Sequence, residues 1–377
     1  MVMLASVVRS RAASTPGCVK KLQGQLALVD MHEAGQEFVL VGDGGKITPL
    51  AARGVKPPKK DKDGNDVELG AVVELSCPTD PVTGQCSYID SNDTALIRGA
   101  ATPTAVGKPI SQKLLVMIID YSGTCGQAAN LTEADARALY LGAAGDGSGG
   151  HALKFEQCSY GSFTINATAF TAIRALLGTA AFFDFSHYTY VLPPGYESIC
   201  RWSGLALLPG KQTWLQTSSY GVRRWATVMQ ETIHNYGLWH SWQNGVEYED
   251  ASTSMGRGNA CPNAAEISRM GWASPAASGG SLNATSMPAG AAVTFSLPAT
   301  YLTGSGNYLR VRPNWLASYG SALTAKNVYI ALRVGRVGDA ALSTSYAPRV
   351  NVHEAAIAAP ASAAQPKATG TPVLPQA

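Results

Sequence analysis

Apolar residues in this chain follow two rhythms. From Val19 to about Ala100 they form short runs: Leu26-Ala27-Leu28-Val29, Glu37-Phe38-Val39-Leu40-Val41 and Ala71-Val72-Val73-Glu74-Leu75. Turn-forming stretches such as Glu33-Ala34-Gly35 and Gly42-Asp43-Gly44-Gly45 separate them. Such runs predict strands, hence a small β domain over residues 19–100 that follows an N-terminal segment, 1–18. The basic stretch Lys56 to Lys62 reads as an exposed loop and residues 101–112 as a linker. Lys113-Leu114-Leu115-Val116-Met117-Ile118-Ile119-Asp120 is continuously apolar, as a strand buried on both faces requires. Thr132, with Asp135 three residues on, predicts a capped helix start. The rhythm then changes to a helical one. Val222, Trp225, Ala226, Met229 and Ile233 recur at helical spacing, which predicts a helix from Val222 to His234 with Arg223 and Arg224 facing solvent. Strand patterns return at 293–297, 308–312, 328–334 and 349–353. They predict a C-terminal β-sandwich-like domain over 276–357, followed by an Ala/Pro-rich tail, 358–377, read as disordered. The expected fold class is therefore α/β (α+β), a central domain over 113–275 with a mixed sheet and one prominent helix, flanked by two β domains.

Composition narrows the role. A chain of 377 residues with 46% hydrophobic and 15% charged residues can build two or three cores. A net charge of +3 argues for neither nucleic acid nor an anionic membrane as the main partner. No apolar run approaches the roughly 20 residues that span a bilayer. Seven cysteines, with Asn-x-Ser/Thr triplets at Asn92, Asn130, Asn166 and Asn283, favour the secretory pathway. Cys77 and Cys86 flank a turn-rich segment and could close it as a disulfide. Cys125, Cys158, Cys200 and Cys261 allow two disulfides in three pairings, and Cys18 is left over by position. Arg9 and Arg11 follow the apolar start instead of preceding it, so the N-terminus gives no clean signal peptide; an Arg- and Ser-rich start without acids also suits an organelle transit peptide, and an incomplete start is the other reading.

The candidate chemistry lies in Met229-Gln230-Glu231-Thr232-Ile233-His234-Asn235-Tyr236-Gly237-Leu238-Trp239-His240. Gln230 and His234 are one helical turn apart and share a face. Gly237 can take the positive φ that ends the helix and swings His240 back towards it. The spacing is that of the zinc-peptidase motif H-E-x-x-H-x-x-G-x-x-H with Gln230 at the first histidine. Here the chain resembles the gametolysin-type metallopeptidases of the metzincin group, which digest cell walls and extracellular matrix in green algae. The resemblance implies a metzincin-like protease domain in which Gln230, His234 and His240 hold the metal. The expected ion is Zn2+, with Cu2+ the alternative, because the amide oxygen of Gln230 is a harder and neutral donor. Such an ion leaves a position for water and lowers its pKa towards about 7, and Glu231 takes the water's proton and passes it to the leaving amine.

Further stretches carry the same resemblance. Ser252-Thr253-Ser254-Met255-Gly256 resembles the methionine turn of metzincins, which makes Met255 the candidate apolar floor beneath the ligands, with Met270 its competitor. Trp202-Ser203-Gly204-Leu205-Ala206 resembles the edge strand of the substrate groove, where a peptide could add. The region before residue 100 is comparable to a pro-segment in that family. The implied function is a secreted endopeptidase acting on Hyp/Pro-rich cell-wall or matrix glycoproteins. The rival readings are a catalytically inactive matrix-binding protein that keeps the fold, and a protein with a structural metal. His32, His151, His187 and His353 have no second candidate ligand nearby in sequence and read as surface or packed residues. No phosphate loop or G-x-S-x-G elbow is present, and the pattern leaves the oligomeric state open.

Overall fold

The first strand, β1 (Val19–Asp30), is half-exposed over its first half and buried over its second, because its neighbours change along its length. In the computed structural model, which describes residues 19–30, 35–50, 55–100, 108–174, 179–321, 324–356 and 368–374, one edge of β1 pairs with β2 (Gln36–Val41), which in turn pairs with β3 (Ile47–Pro49). The other edge is shared. Val19 to Gln25 pair with β4 (Val72–Pro78), itself paired with β5 (Thr94–Arg98). Leu28 and Val29 pair instead with a strand of the central domain.

That central domain contributes β6 (Ile110–Gln112), β7 (Leu114–Ile118), β8 (Phe163–Ile165), β9 (Thr171–Ile173), β10 (His187–Leu192), β11 (Gly204–Leu208) and β12 (Gln212–Gln216). The short helices α1 (Ser122–Cys125), α4 (Thr179–Phe183) and α5 (Glu197–Cys200) lie in its connections. The longer ones are α2 (Glu133–Leu141), α3 (Gly150–Ser159) and α6 (Trp225–His234). Strands β9, β7, β10 and β12 run parallel, and β11 is antiparallel to β12. The result is one mixed sheet of ten strands in the order β3-β2-β1-β11-β12-β10-β7-β9, with β4 and β5 branching from β1. Strand β6 pairs with β8 inside the stretch read as a linker. Thr132 caps α2 through a complete capping box with Asp135. Helix α6 buries every residue from Ala226 to His234, and its Met229 and Ile233 join Val116, Phe155, Phe163 and Met255 in the main core.

The C-terminal strands depart from the sandwich that the sequence suggests. Strands β15 (Leu309–Val311), β16 (Lys326–Arg333), β17 (Arg349–Ala356) and β18 (Ala368–Leu374) form a single sheet with β13 (Ser241–Gln243) and β14 (Val246–Glu247), in the order β14-β13-β18-β17-β16-β15. Residues 293–297 carry a strand pattern yet form no strand; alternation alone does not supply a partner edge. Residues 368–374, within the tail expected to be disordered, form β18 by pairing with β17 and β13. Helix α7 (Ala264–Arg269) precedes this region, opened by the Asn263–Glu266 capping box. Disulfides join Cys77 to Cys86 and Cys158 to Cys261. Cys18 lies outside the described residues, as does His32. No helix among the described residues is long and apolar enough to cross a membrane.

Candidate metal centre

Helix α6 is pinned at both ends. At its start the Arg224 guanidinium donates to Thr227 Oγ1 and to the carbonyls of Arg257 and Gly258. Arg224 is thus half-buried and ties the helix to the loop after Met255, whereas Arg223 is exposed as expected. At its end Asn235 donates from Nδ2 to the carbonyls of Leu207 (2.8 Å) and Gln212 (3.1 Å), which locks the helix onto β11 and β12. Gly237, at φ 87°, makes the turn that lets the chain reverse.

This reversal brings three of the expected site residues together. Glu231, His234 and His240 line one small cavity with Asp30, Ala206, Leu208 and Trp239, which has room for about one water molecule. The His234 and His240 rings lie edge to face, centroids 4.6 Å apart, and both residues are 5% exposed. His234 Nδ1 is 2.6 Å from the Leu238 carbonyl. A carbonyl only accepts, so Nδ1 carries the proton and the lone pair sits on Nε2. His240 Nδ1 is 3.0 Å from Glu247 Oε1, which favours the same tautomer. Imidazoles oriented in this way by a carbonyl or carboxylate are typical of metal-ligating histidines. Gln230 is buried one turn before His234, as the helical spacing requires, but it does not line the cavity.

Glu231 is 3% exposed. Burial, and secondarily the Asp30 carboxylate, push its pKa up to about 8. It packs on Gly204 of β11, where a Cβ would stand 2.6 Å from Glu231 Cγ and 2.7 Å from Oε1. Glycine at 204 is therefore what lets the carboxyl lie against the edge strand. Met255 is fully buried in the core beneath α6, and its carbonyl accepts from the Ser241 N–H next to His240 (2.8 Å). Gly256 permits the tight loop there, since a Cβ would meet the Asp250 carbonyl at 2.0 Å. Met270 occupies the same core.

Three participants are absent from the motif. Asp30 and Glu247 offer carboxylate oxygens that, with a His240 nitrogen, all lie within 4.8 Å of one another. Tyr248, held at φ 64°, places its ring centroid 4.0 Å from that of His240. Burial first, then the charges of Asp30, Glu247 and Glu231, push its phenol far above the usual range, so it stays a neutral donor. Only Glu247 had a local signal: Asn244-Gly245, both at positive φ (52° and 79°), is a primed-turn dipeptide that closes the β13–β14 hairpin and returns the chain to His240.

The other histidines lie elsewhere. His151 Nε2 is 2.8 Å from the Val222 carbonyl. His353 Nε2 is 3.0 Å from Ser252 Oγ. His187 stacks on Tyr236 in a separate, larger cavity. The residues at the candidate centre thus include donors of the kind a divalent cation takes: two buried imidazoles with oriented Nδ1 atoms, and carboxyl groups close to them.

Comparison with known proteins gives the family. The sequence pattern of the gametolysin peptidase M11 family matches residues 113–175 and 171–369. The chain is 39% identical over 98 residues to the autolysin of Chlamydomonas reinhardtii, a stretch that covers 23% of this chain and 15% of that protein. The chain thus aligns with only a small part of that relative's length. No solved structure matches.

Proposed function

From a chain that belongs to the gametolysin peptidase M11 family of metallopeptidases, we propose a metal-dependent endopeptidase whose centre is the cavity between α6 and β11. The observation that carries this reading is the convergence of Glu231, His234 and His240 on that cavity. His234 and His240 would hold the ion through Nε2; the Gln230 amide oxygen would be the third donor only if its side chain, buried one turn earlier and outside the cavity's lining, turned towards the ion. Zinc is the expected occupant and copper the alternative, because an amide oxygen replaces an imidazole. When bound, the cation polarises the scissile carbonyl and acidifies a water molecule. Glu231, beside the edge strand, accepts the proton and delivers it to the leaving amine. Met255, buried in the core with Met229 and Ile233 of α6, would serve as a polarisable, apolar support for the ligands. A peptide would lie along β11 and pair with its backbone.

The family, and the match to a protein named autolysin, support a cell-wall or matrix glycoprotein, Hyp/Pro-rich, as substrate. The two disulfides support a secreted location. The replacement of the first histidine by Gln230 favours one rival, an inert matrix-binding protein. Purified protein should retain zinc or copper, lose it to a chelator or on His234→Ala, and cleave wall glycoprotein only with Glu231 in place. Cleavage that survives Glu231→Ala overturns the assignment.

A further inference from the structure

A second, much larger space adjoins the metal centre. Leu208 and Trp239 line both it and the small cavity of Glu231, His234 and His240. It is a cleft of about 1210 Å3, beyond the roughly 300–1,000 Å3 of a typical small-molecule pocket. One wall is the β11–β12 turn with the end of α6, and the other includes the β2–β3 turn from Gly42 to Gly45. Two buried amides line it, Asn235 at 5% and Gln212 at 7% exposed. Their nitrogens are committed. Asn235 Nδ2 donates to the Leu207 and Gln212 carbonyls, and Gln212 Nε2 to the Tyr190 hydroxyl (3.3 Å) and the Gly45 carbonyl (3.5 Å). Neither amide oxygen accepts a hydrogen bond from the described residues. An amide oxygen held in place and short of a donor can take an N–H or O–H from a ligand. Aromatic rings stand beside the amides. His187 stacks on Tyr236 with centroids 5.4 Å apart, Phe182 stacks on Tyr188 at 4.5 Å, and Phe183 is 51% exposed. Burial first, then the Lys211 charge, pushes the His187 pKa down to about 3, so at neutral pH this ring brings apolar surface and no charge. The exposed charges of the lining cancel, Asp43 and Glu68 against Arg98 and Lys211.

We propose that this cleft binds a neutral oligosaccharide, the glycan of the glycoprotein whose peptide is cut at the metal centre. The identity of the glycan's carrier rests on the function proposed above; the cleft itself does not depend on the metal. Sugar hydroxyls supply O–H donors to the Asn235 and Gln212 oxygens, and the apolar C–H face of a sugar ring lies against an aromatic ring. The mixture of aromatic surface and a few fixed polar atoms is that of a ligand site. Other occupants fit less well. A run of prolines offers carbonyl acceptors and no N–H, so it leaves both amide oxygens without donors. A phosphate or an acidic chain meets a lining with no net charge and two further acceptors.

The test uses the full chain as wild type, Gln212→Leu and Gly42→Trp. Gln212→Leu keeps the bulk of the side chain and removes the acceptor. Gly42→Trp places an indole in the cleft from φ −83°, where a Cβ meets nothing closer than 3.8 Å. Thermal midpoints check that each variant is folded. The probes are neutral glycans released chemically from wall glycoprotein, the intact glycoprotein and its deglycosylated polypeptide. In calorimetry, with and without a chelator, wild type should bind the free glycans, Gln212→Leu about tenfold more weakly, and Gly42→Trp not at all. KM for the intact glycoprotein should rise in both variants with kcat kept, while KM for the deglycosylated chain stays at its wild-type value. A wild type that binds no glycan, or two variants that bind it as wild type does, would overturn the proposal. An equal rise in KM for intact and deglycosylated substrate would assign the cleft to polypeptide and overturn it too. If neither substrate is cleaved while glycan binding follows the expected order, the peptidase reading fails and the glycan site stands.

Discussion

Gly204 shows how much of the chemistry depends on a missing side chain. A methyl there would overlap Glu231 Cγ, Cδ and Oε1 at 2.6–2.9 Å, so Gly204→Ala must push the carboxyl off the edge strand. The expected outcome is a loss of about 10²-fold or more in kcat, the usual worth of a positioned general base, with overpacking that costs about 1–3 kcal/mol. Steady-state kinetics beside a thermal melt separates the two. Gln230→His should raise zinc affinity by calorimetry, because a softer imidazole nitrogen replaces an amide oxygen; equal affinity would place residue 230 away from the ion. The motif made Gln230, Glu231, His234 and His240 legible because they lie within 11 residues, where helical spacing and one glycine turn fix their relations. Asp30 was not legible. It reaches His240 only through a strand pairing some two hundred residues away in sequence, and no local pattern records which edge a strand will find.

At the scale of elements, the β13–β14 hairpin is a device for aiming Glu247. The Asn244-Gly245 turn sets the register of Trp242 opposite Glu247, and Glu247 then orients His240. Glu247→Gln keeps the shape but removes the charge that the His240 Nδ1–H faces. Metal affinity should fall about 10–100-fold with the fold unchanged, the range seen when a ligand's outer partner is altered; titration with Zn2+ checks it. A second element-level constraint is the Cys158–Cys261 bond, which fastens α3 to the segment before α7 across 103 residues. Beside it, Gly338 allows a close approach: a Cβ there would lie 2.4 Å from Cys261 Sγ. Converting both cysteines to serine should cost about 2–5 kcal/mol, read as a lower urea midpoint. The sequence showed that two disulfides were open to the four cysteines of this domain, but pairing is a property of the tertiary fold and spacing does not encode it.

On the scale of the whole molecule, the centre is clamped from both sides by regions that the sequence divides off as separate domains. Hydrophobic periodicity located most C-terminal strands, yet it cannot say that β16 and β17 belong to a sheet that includes β13. Buried Arg333 on β16 pairs with Asp339 (Nε to Oδ2, 2.7 Å) and donates to the carbonyls of Ser252 and Cys261. His353 on β17 meets Ser252 Oγ and lies 3.5 Å from Asp250. Burial pushes Asp250 up, but His353, Ser252 and Ser241 outweigh it and hold the carboxyl well below the usual range. These contacts shape the loop that leads to Met255. Acid should loosen the assembly through the core. Burial, only partly offset by the Val222 carbonyl, pushes His151 down to about 4 from an ordinary 6.5. The unfolded chain therefore binds the extra proton first, and stability present above about pH 6.5 is lost as pH falls towards 4, by about 3 kcal/mol for this group. His151→Gln should flatten that part of a urea-midpoint profile, and an unaltered slope would show that His151 titrates normally. Cutting the chain tests the clamp directly. A chain ended after residue 275 keeps every motif residue but removes Arg333 and His353, which bond the Ser252 loop and the Cys261 carbonyl, together with the cover that β16 and β17 give to α7. Hydrogen bonds that involve a charged group contribute about 1.5–3 kcal/mol each, which is large beside the 5–15 kcal/mol that holds a typical domain together. The shortened chain should be open to protease and retain no zinc after gel filtration, whereas a protease-resistant, zinc-retaining product would make the C-terminal sheet an accessory to a centre that stands by itself.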